Sequence, residues 1–385
     1  MSKKKGLAIL GATGYIGKQA IEIVDTYPDY FDLQVLTAYS NADLLIAQAL
    51  KLQPNIVVIV DEAQYKKVSE ALWAADIHVY AGKDALSQVL ESGEVEIVLN
   101  AITGFAGIVP TIAAINAKKN VALANTESIV VAGELVTKLA QKHGVNIYPV
   151  GAQQSSIFQC LVGEFQNKIE KIFLCTQIGD LQNMNLKQLH EVTKETLIKD
   201  PISYGHAKRG VDSASMIHSG FSVIQARWMF NLKPKQMDIL VQKKAFVNGL
   251  VQFEDGVMKS LVAFSDPSLP IQFALTYPER FKTNYARFNF LEHPELTLEH
   301  PNPLLIQNVE LSRYALKMGG TAACVLNAAN DVAVDAFLSR KIGFSEIAKL
   351  NNDILMAAEV IENPIYEDYL ACDYATRQAA INLIS

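Results

Sequence analysis

The sequence predicts an α/β protein: an N-terminal Rossmann-like doubly wound sheet, a central mixed α/β domain and a C-terminal helical bundle. Three observations point there. Short β-branched runs alternate with amphipathic helical segments through residues 1–150, the pattern of repeated βαβ units. A glycine-rich turn lies directly between the first run and the first helix. Beyond residue 303 only helical periodicity is found.

The runs at 7–10, 33–36, 56–60, 97–99 and 121–123 are apolar on both faces, as expected of parallel strands covered by helices. Between them 17–27, 41–52, 61–73, 83–91 and 108–119 carry apolar residues at helical spacing. Val145-Asn146-Ile147-Tyr148 reads as a further strand, and Pro149 to Cys160 (PVGAQQSSIFQC) follows it, where open α/β sheets present ligands. This stretch holds no titratable catalytic group. Strands at 171–175 and 237–241 and a hairpin at 251–258, turning on Asp255-Gly256, make the middle part mixed α/β. Pro301-Asn302-Pro303 reads as a linker. Segments at 306–318, 322–339, 345–359 and 368–384 have helical periodicity, and their alanines allow close helix packing.

Composition narrows the class. With 385 residues, 50% of them hydrophobic and 19% charged, the chain is expected to be globular with two or three domains. A net charge of -6 with dispersed Lys and Arg favours neither nucleic acid nor an anionic membrane as partner. The basic start lacks a signal-peptide pattern, and no apolar stretch reaches the roughly 18 residues of a membrane span. Cys160, Cys175, Cys324 and Cys372 have no CxxC spacing, so reduced thiols and a cytoplasmic location are expected.

Gly11-Ala12-Thr13-Gly14-Tyr15-Ile16-Gly17 is a GxxGxxG between strand and helix. Glycines there permit close backbone approach to a pyrophosphate, and the helix N-terminus supplies N–H groups; a helix-packing turn is the other reading. At the end of the second strand, Thr37 to Asn41, stands neither an acid for a ribose hydroxyl nor an arginine for a 2′-phosphate. Asp43 reads as a helix-start residue. NADPH and NADH both stay open on these residues. His190, His293 and His300 read as surface or capping residues, and Lys243-Lys244 as a solvated strand end.

The chain resembles the 1-deoxy-D-xylulose 5-phosphate reductoisomerase family along nearly its whole length. The matching stretches are LAILGATGYIG from Leu7, NVALANTESIVVAGEL from Asn120, VDSASMI from Val211, ARWMFN from Ala226, LVQFEDG from Leu250 and LNAANDVAVDAFL from Leu326. The resemblance implies a nucleotide-binding domain at 1–150, a central catalytic and dimerisation domain at 151–300, a helical domain at 301–385, and a homodimer. It implies NADPH as cofactor and Mg²⁺ or Mn²⁺ held by one Asp and two Glu. The family reaction rearranges a phosphorylated ketose and reduces the resulting aldehyde.

Against that pattern the chain departs at the chemistry. The family's PVDSEH corresponds to Pro149-Val150-Gly151-Ala152-Gln153-Gln154, and MMNKGLE to Met216-Ile217-His218-Ser219-Gly220-Phe221-Ser222. Gly151, Gln153 and Ser222 thus stand at the three carboxylate positions, so the metal is expected to be lost. The lysine of ALANKES is Thr126, and Asn-Lys of MMNKG is His218-Ser219. The serine positions of PVDSEH and of the phosphate turn are Ala152 and Ile178, and the lid begins at Asp200. Asp180 and Asp200 would repel a phosphate. HPQSxxHS becomes Gln242 to Gly249, without its histidines. Ser213 survives among the substrate contacts.

The cofactor positions Gly11, Thr13, Gly14, Ile16 and Gly17 match the family turn, with Tyr15 in place of a small serine. Asn125 and Glu127 match its nicotinamide side, although Glu127 also reads as an early-turn helix acid. His218 is the one new candidate for acid–base work. Two classes of function follow: a diverged homologue impaired in the family reaction, partnering itself or an intact paralogue, and a metal-independent NAD(P)H oxidoreductase on another substrate. An active reductoisomerase is the remaining reading.

Overall fold

A computed structural model describes residues 3–197 and 204–384, the side chains of 204–206 excepted. The chain divides into two compact units. The first comprises Met1–Ser128, Val136–Ser155 and Asp266–Tyr285; the second comprises Ile129–Leu135, Ser156–Ser265 and Ala286–Ser385. No helix among the described residues is long and apolar enough to cross a membrane.

In chain order the first part runs β1 (Lys5–Leu10), α1 (Tyr15–Thr26), β2 (Phe31–Ala38), α2 (Ala42–Leu52), β3 (Ile56–Ile59), α3 (Tyr65–Leu72), β4 (His78–Ala81), α4 (Lys83–Gln88), β5 (Ile97–Asn100), α5 (Ile108–Asn116), β6 (Asn120–Leu123), α6 (Glu127–Val130), α7 (Gly133–His143) and β7 (Ile147–Pro149). The strands form one parallel sheet in the order β4-β3-β2-β1-β5-β6-β7. Leu7 pairs with both Leu33 and Ile97, and Leu7, Ile9, Leu36, Ile97 and Leu99 are fully buried. These unbroken apolar runs are what a sheet covered on both faces requires. Strand order reverses at β1 and β5, the switch point of a doubly wound sheet.

A later segment completes this unit: α13 (Ser268–Thr276) packs on α1. Tyr27 and Tyr30 meet Phe281 edge-on at centroid distances of 5.1 and 4.6 Å, and Lys5 Nζ donates to the Leu275 carbonyl at 2.9 Å.

The remaining elements are α8 (Ala152–Leu161), β8 (Ile169–Thr176), α9 (Leu186–His190), α10 (Lys194–Leu197), α11 (Tyr204–Ala214), α12 (Ile217–Phe230), β9 (Met237–Gln242), β10 (Val247–Phe253), β11 (Met258–Val262), β12 (Leu298–Glu299), α14 (Gln307–Met318), α15 (Ala322–Leu338), α16 (Phe344–Ala357) and α17 (Tyr366–Ile384). A mixed sheet β11-β10-β8-β9-β12 lies in the second unit. Its β10–β11 hairpin turns at Gly256, whose φ of +86° suits glycine. Helix α12 packs on α14, and the contact depends on Gly220, where a Cβ would come within 2.2 Å of Ser312 Oγ. Helix α15, alanine-rich and buried along most of its length, packs against α14, α16 and α17. The Pro301–Pro303 linker is tied down: Asn302 is buried and donates to the carbonyls of Leu181 and Met184 at 3.1 and 2.9 Å.

Candidate functional site

The glycine turn joins β1 to α1 at the carboxyl edge of the first sheet. Its shape follows from two contacts. Gly11 has φ +80°, and its N–H donates to Thr37 Oγ1 at 3.0 Å while Ala12 N–H donates to the Thr37 carbonyl at 2.8 Å. Gly17 faces the turn so closely that a Cβ would lie 2.2 Å from the Gly11 carbonyl oxygen and 2.6 Å from Ala12 Cα. Gly14 is the N-cap of α1, extended at φ -75° and exposed, and offers no side chain to occupy the first-turn N–H groups. Thr13 and Ile16 are half-buried beside it, and Tyr15, the first helical residue, is 45% exposed. The arrangement presents a bare helix N-terminus to solvent, which favours an anion.

The neighbouring strand ends β5 and β6 are held by a buried amide and hydroxyl network. Asn125, 3% exposed, donates through Nδ2 to the carbonyls of Ile102 at 2.7 Å and Gly104 at 2.9 Å and to Glu127 Oε2 at 3.1 Å. Its Oδ1 accepts from Ser128 N–H at 2.8 Å and Ser128 Oγ at 2.5 Å. Asn100 and Thr111 extend the network to the Gly107 carbonyl. Gly107 has no room for a side chain, since a Cβ would lie 2.5 Å from Asn125 Cγ and Nδ2. Asn125 therefore shapes the Ile102–Gly104 loop. Because Gly11 also faces Ala101 and Ile102, the glycine turn and the Asn125 loop share the carboxyl end of β1, β5 and β6. Glu127 begins α6, the early-turn position its sequence context suggests, and Thr126 precedes it half-buried.

At the second-strand end Asn41 caps α2 by accepting from Leu44 N–H at 3.2 Å. Asp43 lies in the first helical turn and pairs with Lys67 at 2.6 Å, as expected of a helix-start acid. Tyr39 is 69% exposed at the adjoining position.

Most of the stretch from Pro149 to Cys160 is helical. Gly151 follows β7 and its carbonyl accepts from Ser155 N–H at 2.8 Å, so it starts α8; Ala152 is the first helical residue and is exposed. Gln153, Gln154, Ser155 and Ser156 are all buried. On α12, Ser222 Oγ donates to the His218 carbonyl at 3.0 Å. Ser219 is fully buried, and its Oγ has no partner among the described residues. His218 is half-buried; burial holds its imidazole below the ordinary histidine range against the pull of Asp212, and Arg209 and Lys208 add to the lowering. Phe221 beside it belongs to the core.

Ile178 is 4% exposed and also packed into the core, a setting unlike a phosphate contact. Asp180 is exposed in the turn that follows, and Ser213 Oγ approaches the Gln177 carbonyl at 3.5 Å. Asp200 lies outside the described residues. At the site of HPQSxxHS, Gln242 is buried and accepts from Val247 N–H through Oε1 at 3.2 Å while its Nε2 donates to the Val247 carbonyl. This amide closes the β9–β10 connection. Phe246 packs with Phe264, Phe288 and His293, with centroids 5.8, 4.9 and 5.0 Å away, so His293 is part of an aromatic cluster rather than a cap. His190 Nδ1 meets Ser345 Oγ at 2.9 Å, and Lys243 pairs with Glu299 at 3.5 Å.

No carboxylate stands at positions 151, 153 or 222. Glycine brings no side-chain donor, glutamine a neutral amide oxygen, and serine a hydroxyl already bonded to a carbonyl. Hard cations require several oxygen donors including carboxylates.

Three family models match the chain: 1-deoxy-D-xylulose 5-phosphate reductoisomerase over residues 7–133, its C-terminal domain over 147–230, and DXP reductoisomerase C-terminal domain over 262–379. The 1-deoxy-D-xylulose 5-phosphate reductoisomerase of Bacteroides thetaiotaomicron is 43% identical over 383 residues, covering 100% of this chain and 98% of that protein. The Porphyromonas gingivalis protein of the same name is 39% identical over 381 residues, with 99% and 98% covered. Among solved structures, the Zymomonas mobilis reductoisomerase in complex with NADPH superposes with a TM-score of 0.94 at 30% identity, with 100% of each chain covered. A DOX-P reductoisomerase in complex with NADPH, fosmidomycin and magnesium gives 0.89 at 30% identity, with 99% of this chain and 98% of that one covered.

Proposed function

The chain belongs to the 1-deoxy-D-xylulose 5-phosphate reductoisomerase family, and from that premise we propose that it binds NADPH at the glycine turn but does not carry out the family's metal-dependent reaction. One observation carries the reading: no carboxylate stands at 151, 153 or 222, where the resemblance to the family implies three, and the Ser222 hydroxyl is bonded to the His218 carbonyl. Thr126, Ile178 and Ser219 replace polar or cationic substrate contacts, and two of the three are buried side chains. NADPH is supported by the exposed N-terminus of α1 and by the NADPH complex of the Zymomonas mobilis relative. We assign the nucleotide to the 1–150 part, dimer contacts to 151–300 and a supporting role to the helical 301–385, in a cytoplasmic homodimer.

Purified protein given deoxyxylulose phosphate, Mn²⁺ and NADPH is expected to leave the cofactor unoxidised above the enzyme-free control. Turnover at about 1 s⁻¹ or faster, the ordinary enzymatic range, would overturn the proposal. NADPH alone is expected to bind saturably, as read by quenching of its fluorescence or by calorimetry, and an absence of saturable binding would remove the nucleotide half. Mn²⁺ titrated without substrate is expected to remain free in the electron paramagnetic resonance spectrum.

A further inference from the structure

We propose that Cys324 and Cys372 form a peroxide-reactive thiol pair, in which Cys372 is oxidised first and Cys324 closes a disulfide between α15 and α17. Neither residue belongs to the nucleotide turn or to the positions of the family chemistry, and their separation in sequence gives no motif.

The geometry is reciprocal. Cys324 Sγ reaches from α15 to the carbonyl of Tyr369 on α17 at 3.5 Å. Cys372 Sγ, one turn beyond Tyr369, reaches back to the carbonyl of Thr321, one turn before Cys324, at 3.9 Å. Each side chain thus reaches the turn that precedes the other, which brings both sulfurs to the same contact between α15 and α17.

Their environments divide the labour. Cys324 is fully buried, whereas Cys372 is half-buried beside exposed Ala371 and Tyr374. The neighbouring Cys324 thiol, with help from Thr376 and Thr321, holds the Cys372 thiol below the ordinary cysteine range despite burial and the nearby Asp373. The Cys372 thiol beside it, together with burial, pushes Cys324 upward. The thiolate is the nucleophile, so the more exposed cysteine, whose pKa is lowered, is the one to react first. Cys160 and Cys175 are set apart, because burial pushes their thiols up to about 11 and 12.

The chemistry balances with a peroxide as the two-electron oxidant. The Cys372 thiolate attacks one peroxide oxygen, the O–O bond breaks, and the leaving hydroxide takes a proton to become water, giving a sulfenic acid. The Cys324 sulfur then attacks the sulfenic sulfur, the S–O bond breaks, and the departing hydroxide takes the Cys324 proton as a second water. The product ties the first turn of α15 to the middle of α17.

The test uses the full-length reduced protein and hydrogen peroxide. Titration in denaturant is expected to show loss of half of its four thiols, restored by dithiothreitol, and non-reducing peptide mapping should find one cross-link, Cys324 to Cys372. In Cys324→Ser, dimedone is expected to label Cys372; in Cys372→Ser, all remaining thiols should survive. Survival of all four wild-type thiols under peroxide that oxidises a free cysteine peptide would overturn the proposal, as would a cross-link through Cys160 or Cys175. The wild-type mapping decides the matter even where a serine variant folds poorly.

Discussion

Replacing Asp212 by alanine is expected to destabilise the second unit by about 3 kcal/mol, the scale of breaking a largely buried ion pair. Asp212 is 8% exposed and receives Lys208 Nζ at 2.7 Å and Asn330 Nδ2 at 2.8 Å. Lys208 is also 3.1 Å from Asp331, which pairs with Arg377 at 2.7 Å, and Arg377 closes on Asp373 at 2.8 Å. The ladder ties α11 to α15 and α17. Removing its first carboxylate leaves an ammonium with one counter-charge and a buried amide donor unpaired, so the desolvation cost remains while the attraction falls.

The comparison that isolates this effect is the double variant Lys208→Met with Asp212→Leu. It removes both charges, so its cost in urea unfolding should be smaller than that of Asp212→Ala alone. An equal or larger cost would mean that packing, not charge, sets the loss. Lys171→Ala is the surface control: its 2.5 Å pair with Asp238 is partly solvated, and about 0.5 kcal/mol is expected. The pH dependence has a definite sign. Burial opposes the Lys208 charge, but Asp212 and Asp331 outweigh it and raise its pKa. Its contribution is then complete below the unfolded lysine value of about 10.4 and is lost only as pH rises through the higher folded value. The Asp212→Ala deficit should therefore be flat between pH 7 and 9.

The parallel strands were legible because burial on both faces leaves no polar alternation, as in β1 and β5. The edge strand β4 was not: His78-Val79-Tyr80-Ala81 is only four residues long and none of them is buried, so it lacks the apolar run that marks its neighbour β3. The return of α13 to the first unit was equally hidden, because its apolar residues declare burial without saying against what. At the site, the glycine turn could be read from flanking periodicity. The role of Asn125 as a loop anchor could not, since an asparagine letter names four hydrogen-bonding sites and none of their partners. Ser222 shows the same limit: the missing carboxylate is plain in the letters, whereas the bond to His218 depends on helical spacing within α12.

Gly14 and Gly17 are expected to fail differently when each is changed to alanine, and the difference separates ligand approach from architecture. At Gly17 a methyl group would lie 2.2 Å from one backbone oxygen and 2.6 Å from a backbone carbon, neither of which moves without displacing β1 or α1. Overpacking against fixed backbone costs about 3 kcal/mol or more, so Gly17→Ala should lose thermal stability and NADPH binding together. At Gly14 the φ of -75° is open to alanine and the nearest atom to an added Cβ is the Gly11 oxygen at 3.3 Å. The stability cost there should be about 1 kcal/mol or less, that of alanine at a helix N-cap. The methyl group would nonetheless project at the exposed helix N-terminus where a pyrophosphate must meet backbone N–H groups. NADPH affinity is therefore expected to fall by about 100-fold, the equivalent of about 2.7 kcal/mol, in a protein that melts almost as the wild type does. Calorimetric titration alongside thermal unfolding reads both quantities. Undiminished affinity in Gly14→Ala would move the nucleotide away from this turn and leave Gly17 with a packing role alone.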